Sequence, residues 1–121
     1  DGAMDTMVRA NVDALMVLPS TMLFNQQARI AGLAAKRRLP AIGIDRGFAD
    51  AGGLMSYGAS IADLFHRGAR YVDRILKGER PGELPVERPT TFELVINLKT
   101  ARELNLEFPP ALRARADVEI P

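Results

Sequence analysis

The stretch Ala51-Gly52-Gly53-Leu54-Met55-Ser56-Tyr57-Gly58 decides how this chain is read. Gly52-Gly53 reads as a turn before a strand over Leu54 to Tyr57, and the helix that follows has both ends written into its residues. Ser60 stands at the cap, Asp63 takes the capping-box position, and Lys77-Gly78 supplies a terminal cation and a left-handed stop. Between them Ile61, Leu64, Phe65, Gly68, Val72, Ile75 and Leu76 recur at helical spacing as one apolar stripe, while Asp63, Arg67, Arg70, Asp73 and Arg74 fall mostly outside it. A helix so polarised packs its stripe against something.

Working outward, the same alternation repeats upstream. Met4 to Ala10 reads as the tail of a helix stopped at Asn11, and Ala14 to Leu18 is a continuous apolar run suited to a strand buried on both faces. Pro19-Ser20-Thr21 ends that strand. Asn25 to Arg38 reads as an alanine-rich helix whose basic end, Lys36-Arg37-Arg38, suits the negative pole of the helix dipole. After the Leu39-Pro40 stop comes a second strand, Ala41 to Ile44, and a turn or short helix over Arg46 to Ala51. Downstream, Glu79 to Pro89 reads as an extended connector and Phe92 to Asn97 as a less buried, alternating strand. Asn97 is placed to cap a short helix through Leu104, and Pro109-Pro110 to open a last one running to about Ala116. The order βαβαβα, with a trailing strand and two short helices, predicts an α/β fold: a three-layer sandwich of a parallel sheet covered on both faces.

Composition narrows the function. The chain has 121 residues, 47% of them hydrophobic, enough for one domain with its own core. Sixteen basic residues against 15 acidic ones leave a formal charge of +1, too little to draw in nucleic acid or anionic lipid. The absence of cysteine excludes disulfides, thiolate metal sites and thiol nucleophiles. No apolar run approaches the roughly 20 residues of a membrane span, and Asp1-Gly2-Ala3-Met4 does not resemble a signal peptide.

In an open parallel sheet, ligands meet the carboxyl ends of the strands, where loops and helix N-termini converge. Three loops therefore matter: those at Ser20-Thr21, Asp45-Arg46 and Tyr57-Gly58. The hydroxyls of Ser20 and Thr21 can donate to a carboxylate; alternatively they only cap the local turn. Asp45 ends a buried strand and can accept from a ligand ammonium, with Arg46 pairing with it or with a ligand carboxylate; the competing reading is a capping Asp45 beside a solvated Arg46. Phe48 is a core side chain or an apolar wall. Tyr57 suits the edge of a pocket, or else is a core residue with a satisfied hydroxyl. His66, the one histidine, lies among charged residues on the polar side of the long helix, so it reads as a solvated surface residue with no nucleophile or metal cluster around it. No phosphate-binding loop occurs, and Asp45 and Asp50 read as unrelated caps. Catalysis, cofactors and metals are accordingly not expected.

The Ala51 to Gly58 stretch, the capped helix closing at Leu76-Lys77-Gly78, Leu84-Pro85-Val86-Glu87, and Phe92 to Ala101 follow one another in an order that resembles the C-terminal part of the substrate-binding proteins of ABC transporters. The likeness, from about Val12 to about Asp117, is to the family whose members resemble tryptophan- and tyrosine-binding receptors with a type I periplasmic-binding fold. It implies that residues 1–121 form the C-terminal lobe of a receptor, with a crossover helix at 60–77 and a C-terminal extension at 90–121, and that roughly the first half of such a protein lies outside the chain. It also implies a small-molecule solute, such as an amino acid or aromatic carboxylate, bound between lobes by Ser20, Thr21, Asp45, Arg46 and Tyr57. An ABC permease would be the partner, and the location periplasmic or otherwise extracytoplasmic. Met55 to Ser60 would be a crossover between lobes, with Gly58 absorbing hinge rotation and Pro89-Thr90-Thr91 close by. An effector-sensing domain of a LacI-like regulator shares this fold and is the alternative. A flavodoxin- or receiver-like domain would need an acidic partner for Asp45 at the first strand's end, where Pro19-Ser20-Thr21 offers none. If the stripe of the long helix is uncovered, a homodimer or swapped assembly through that face is expected.

Overall fold

The computed structural model describes residues 2–121. In chain order the elements are α1 (Gly2–Arg9), β1 (Leu15–Met16), α2 (Thr21–Phe24), α3 (Gln27–Lys36), β2 (Ala41–Gly43), α4 (Arg46–Asp50), β3 (Met55–Ala59), α5 (Ile61–Leu76), β4 (Phe92–Asn97), α6 (Leu98–Leu104), α7 (Pro110–Arg113) and β5 (Val118–Ile120). They divide into two compact units, residues 1–58 with 93–121, and residues 59–92. No helix among the described residues is long and apolar enough to cross a membrane.

The larger unit is the expected α/β sandwich, built on a five-stranded sheet in the order β1-β2-β3-β4-β5. Leu15 registers with Ala41, Ile42 with Met55 and Val95 with Val118, all in parallel pairs. The β3–β4 pair departs from the all-parallel expectation. Asn97 N–H donates to the Leu54 carbonyl and Ser60 N–H to the Thr91 carbonyl, so residue numbers fall along one strand as they rise along the other, which is antiparallel pairing.

Phe48, 1% exposed, anchors α4 in a core that includes Met4, Val17, Ala31, Ala34 and Ala41. α3 contributes Ala31 and Ala34 because small side chains let it lie close to its neighbours. It ends at Lys36, two residues before the expected Arg38, with Arg38 in the left-handed conformation (φ 53°), Leu39 N–H bonded to the Ala34 carbonyl, and Leu39 buried.

Four local expectations need correction. The Ala14 to Leu18 run is not a strand buried on both faces: β1 spans two residues at the sheet edge, and Met16 and Leu18, on the face opposite buried Val17, are exposed. The helix expected over Asn25 to Arg38 is two helices, since Gln26 (φ −115°, ψ 14°) leaves helical geometry and its N–H closes a tight turn onto Leu23. β4 is the reverse of less buried: Leu94, Val95, Ile96 and Asn97 are all buried, because strands flank it on both sides and both of its faces are covered. β5 was not expected at all. Three residues are too few to show a period, and the strand is pinned instead by Asp117, whose N–H donates to the Leu94 carbonyl while its carboxylate accepts from Leu94 N–H.

The smaller unit is α5 with a connector strapped along it. The sequence signals hold: the Ser60 hydroxyl accepts from Asp63 N–H, Gly78 is left-handed (φ 104°), and Glu79 N–H reaches the Arg74 carbonyl. The Arg67 guanidinium binds the Glu87 carboxylate, the Arg88 carbonyl and the Thr90 hydroxyl, and Tyr71 donates to the Pro85 carbonyl. No residue of α5 is buried, and Phe65 and Leu76 are 77% and 82% exposed. Leu64, Gly68 and Ile75 of its apolar stripe line a hollow with the connector, while Phe65 and Leu76 are the most exposed of the stripe.

Hydrogen bonding to Arg67 holds the Glu87 carboxyl below its ordinary pKa, and Glu87 in turn raises that of Arg67. The ordered connector thus favours ionised Glu87: its support is present above the usual carboxylate range and lost as pH falls through the depressed value. Arg67→Met should accelerate amide hydrogen exchange across residues 79–91, after correction for intrinsic rates, while leaving the larger unit unchanged. Lowering the pH through Glu87's titration should produce the same loosening in the wild type. Equal protection in variant and wild type would show that the proline-rich backbone alone holds the strap.

Candidate functional site at the carboxyl ends of β1, β2 and β3

The parallel register of β1, β2 and β3 brings their carboxyl ends to one edge of the sheet. After β1, Ser20 takes the cap position of α2 with extended backbone (φ −160°, ψ 136°), yet its hydroxyl makes no capping bond; only its carbonyl is used, by Phe24 N–H at 2.8 Å. Thr21 is the first residue of α2 and is exposed.

After β2, Asp45 caps α4 as the simpler reading had it, its Oδ1 accepting from Gly47 N–H at 2.9 Å. Its second oxygen does something a cap does not require. Oδ2 accepts from the side-chain amide of Gln27, at the start of α3, at 2.5 Å. Arg46 does not pair with Asp45; its Nε lies 3.2 Å from Asp50 Oδ2, so Asp50 belongs to a separate surface pair. Ser20, Gln27 and Asp45 line one depression with Leu18, Phe24 and Phe48, a hollow of about 10 Å³. That is room for about one water, so by itself it encloses no solute. Phe48 forms its floor rather than an exposed wall.

After β3, Tyr57 is 54% exposed, which removes the core reading, and it is not among the residues lining the hollow. Gly58 continues the strand rather than forming a turn. A Cβ there would lie 2.8 Å from the Ile44 carbonyl carbon and overlap its oxygen, so glycine is what lets the end of β3 press against the backbone that leads into Asp45. The one buried side-chain polar atom without a hydrogen bond among the described residues, Ser56 Oγ, is next to Tyr57 in sequence but on the opposite, buried side of the strand.

Gln27 was not singled out from sequence. Its signal was the amide run Asn25-Gln26-Gln27, which interrupts an otherwise apolar helical pattern where the structure breaks the helix. His66 is exposed on α5, and no group of metal-ligating side chains forms among the described residues.

Two larger hollows lie elsewhere. One of about 670 Å³ runs beside β1 and is walled by Met4, Met7, Met16, Met22, Ile30 and Leu33 among others; it is the uncovered flank of an edge strand, and neither Ser20 nor Asp45 enters it. The other, about 420 Å³, lies within the smaller unit between α5 and its connector. Both lack the convergent uncommitted polar groups of a small-molecule site.

Three solved structures share this fold. A conserved domain protein from Vibrio cholerae O1 biovar El Tor matches 98% of the chain at 25% identity with a TM-score of 0.88, the match covering 40% of that protein. An ABC domain from Streptococcus pneumonia, solved in complex with L-Trp, matches 95% of the chain at 25% identity and TM-score 0.84, again over 40% of its own length. A ligand-free, open substrate binding protein with adhesive properties from Clostridium difficile shares the fold, with TM-score 0.68 at 18% identity over 98% of the chain and 39% of that protein. The chain thus spans about 40% of the length of these relatives. No curated protein matches it. The sequence profile described as "ABC transporter substrate binding protein" matches residues 2–120, nearly the whole chain, and the chain belongs to that family.

Proposed function

We propose that this chain supplies one wall of the solute cleft of an ABC transporter receptor, as the C-terminal lobe together with the returning helix at 60–77. The observation that carries the reading is the grouping of Ser20 and Asp45 on one hollow at the carboxyl ends of β1 and β2. Ser20 keeps a hydroxyl not consumed by helix capping, Asp45 offers a carboxylate held by neutral donors, and Leu18, Phe24 and Tyr57 stand exposed at the same edge. A hydroxyl donor, a carboxylate acceptor and apolar surface between them suit a small molecule with an ammonium, a carboxylate and an apolar body, that is, an amino acid, with aromatic ones favoured by the apolar surroundings. Thr21 and Arg46 complete the set as flanking donors. The relative bound to L-Trp supports the same class. A permease would receive the solute, and receptors of this kind work outside the cytoplasm.

The hollow's small size fits a half-site completed by a second lobe, since cleft receptors close two lobes around their ligand. The isolated 121-residue chain should therefore bind L-tryptophan more weakly than micromolar in an NMR titration, with amide shifts concentrated at Ser20, Asp45 and Tyr57. Micromolar or tighter binding by calorimetry would contradict the half-site, and shifts confined to the groove beside β1 would move the ligand elsewhere.

A further inference from the structure

The second hydrogen bond to Asp45 sets it apart from the other caps. Ser60 and Asn97 each accept from an N–H of their own helix, at Asp63 and Thr100. Asp45 does the same with Gly47, and in addition receives the Gln27 amide from a helix 18 residues earlier in the chain. Both donors are neutral. Arg46 is engaged with Asp50, and among the described residues no lysine, arginine or histidine forms an ion pair with Asp45. The carboxylate is thus oriented at both oxygens without its charge being cancelled, and each oxygen retains a further lone pair. A lysine in place of Gln27 would fix the same geometry and neutralise it.

We infer that Gln27 is the positioning residue of an ammonium subsite at Asp45, so that the solute class is one bearing a primary ammonium beside an apolar body; this rests on the solute-binding reading above. Gln27 opens α3, just past the break after α2, so its amide ties the start of α3 to the Asp45 loop, and both Gln27 and Ser20 line the hollow beside Asp45. Its amide locks the Asp45 side chain in place before a ligand arrives, and the charge left over is what a cationic nitrogen recognises.

The test is a ratio. NMR titration of the 121-residue chain with L-tryptophan and with indole-3-propionate, which lacks the amine, compares two probes sharing one aromatic body, so a merely structural loss cancels. The wild type should favour the amine-bearing probe about tenfold, the worth of a hydrogen bond to a charged group. Asp45→Asn should abolish that preference, and Gln27→Ala should reduce it about threefold, as loss of a neutral hydrogen bond would. Gln27→Glu removes the donor and sets a second carboxylate beside Asp45, so at neutral pH its ratio should depart from the wild-type value. If the wild type binds neither probe or prefers neither, the amino-acid reading fails and this inference with it. If Asp45→Asn removes the preference while Gln27→Ala and Gln27→Glu both keep the wild-type ratio, the amino-acid reading stands and the role of Gln27 is overturned.

Discussion

Phe48→Ala should lower the stability of the larger unit by about 3–5 kcal/mol, the usual cost of emptying a buried aromatic site. The side chain is 1% exposed and is among the largest fully buried in the chain. Its surroundings decide where in that range the cost falls. A Cβ at Gly43 would come within 2.5 Å of Phe48 Cγ, and one at Gly53 within 2.8 Å of the Phe48 carbonyl oxygen. Two backbones without side chains therefore form the walls of the Phe48 site, and neither has atoms that can swing in to fill the void. Against a typical total of about 5–15 kcal/mol for a domain, such a loss leaves little. Urea denaturation followed by circular dichroism measures it, with Phe48→Leu costing less because it keeps more of the volume. A change below about 1 kcal/mol would show that the site collapses despite its glycines. Phe48 also floors the hollow of Asp45, and its N–H donates to the Asp45 carbonyl at 3.1 Å, so the substitution should disturb the candidate site along with the core.

What could be read without coordinates follows the range of the forces involved. α5 was legible from cap to stop because its determinants are local: Ser60, Asp63 and Gly78 act within a few residues of the positions they control. The α/β alternation was legible for the same reason, element by element. β4 and β1 were misjudged in opposite directions because burial depends on where each strand sits in the sheet and on what covers its two faces. An apolar run such as Ala14 to Leu18 reads identically at the edge of a sheet and at its centre, and only the strand order distinguishes the two. β5 depends on Asp117 meeting Leu94 across 23 residues, which no local pattern encodes. The site divides along the same line. Asp45 was visible as a polar residue ending an apolar strand, but Gln27 acquires a role only once α3 and the β2 loop are brought together, and the amide run around it marks the helix break rather than a partner for Asp45.

Gly58→Ala should damage the edge at the carboxyl ends of β2 and β3, for a reason unrelated to conformational freedom. The residue lies in β3 with no positive φ, so alanine meets no backbone penalty there. The obstacle is the Ile44 carbonyl: its carbon would lie 2.8 Å from the new Cβ and its oxygen would overlap it outright. Backbone cannot rotate aside as a side chain can, so either β3 moves away from the end of β2 or the Ile44 peptide turns. Overpacking of this kind costs about 1–3 kcal/mol where side chains yield, and the upper end or beyond is expected where a carbonyl is the obstacle. Either movement shifts Ile44 relative to Tyr57, and Asp45 is the next residue along. The variant should therefore show two signatures together: a urea midpoint displaced by more than 1 kcal/mol would require, and altered amide shifts running from Ile44 through Gly47. Gly53→Ala, which meets Phe48 instead of the β2 loop, supplies the comparison, since it should destabilise without moving the Gly47 amide as far. If Gly58→Ala proves as stable as the wild type with the Gly47 amide unmoved, the end of β3 is not held against the Asp45 loop, and the rim has more play than this close approach allows.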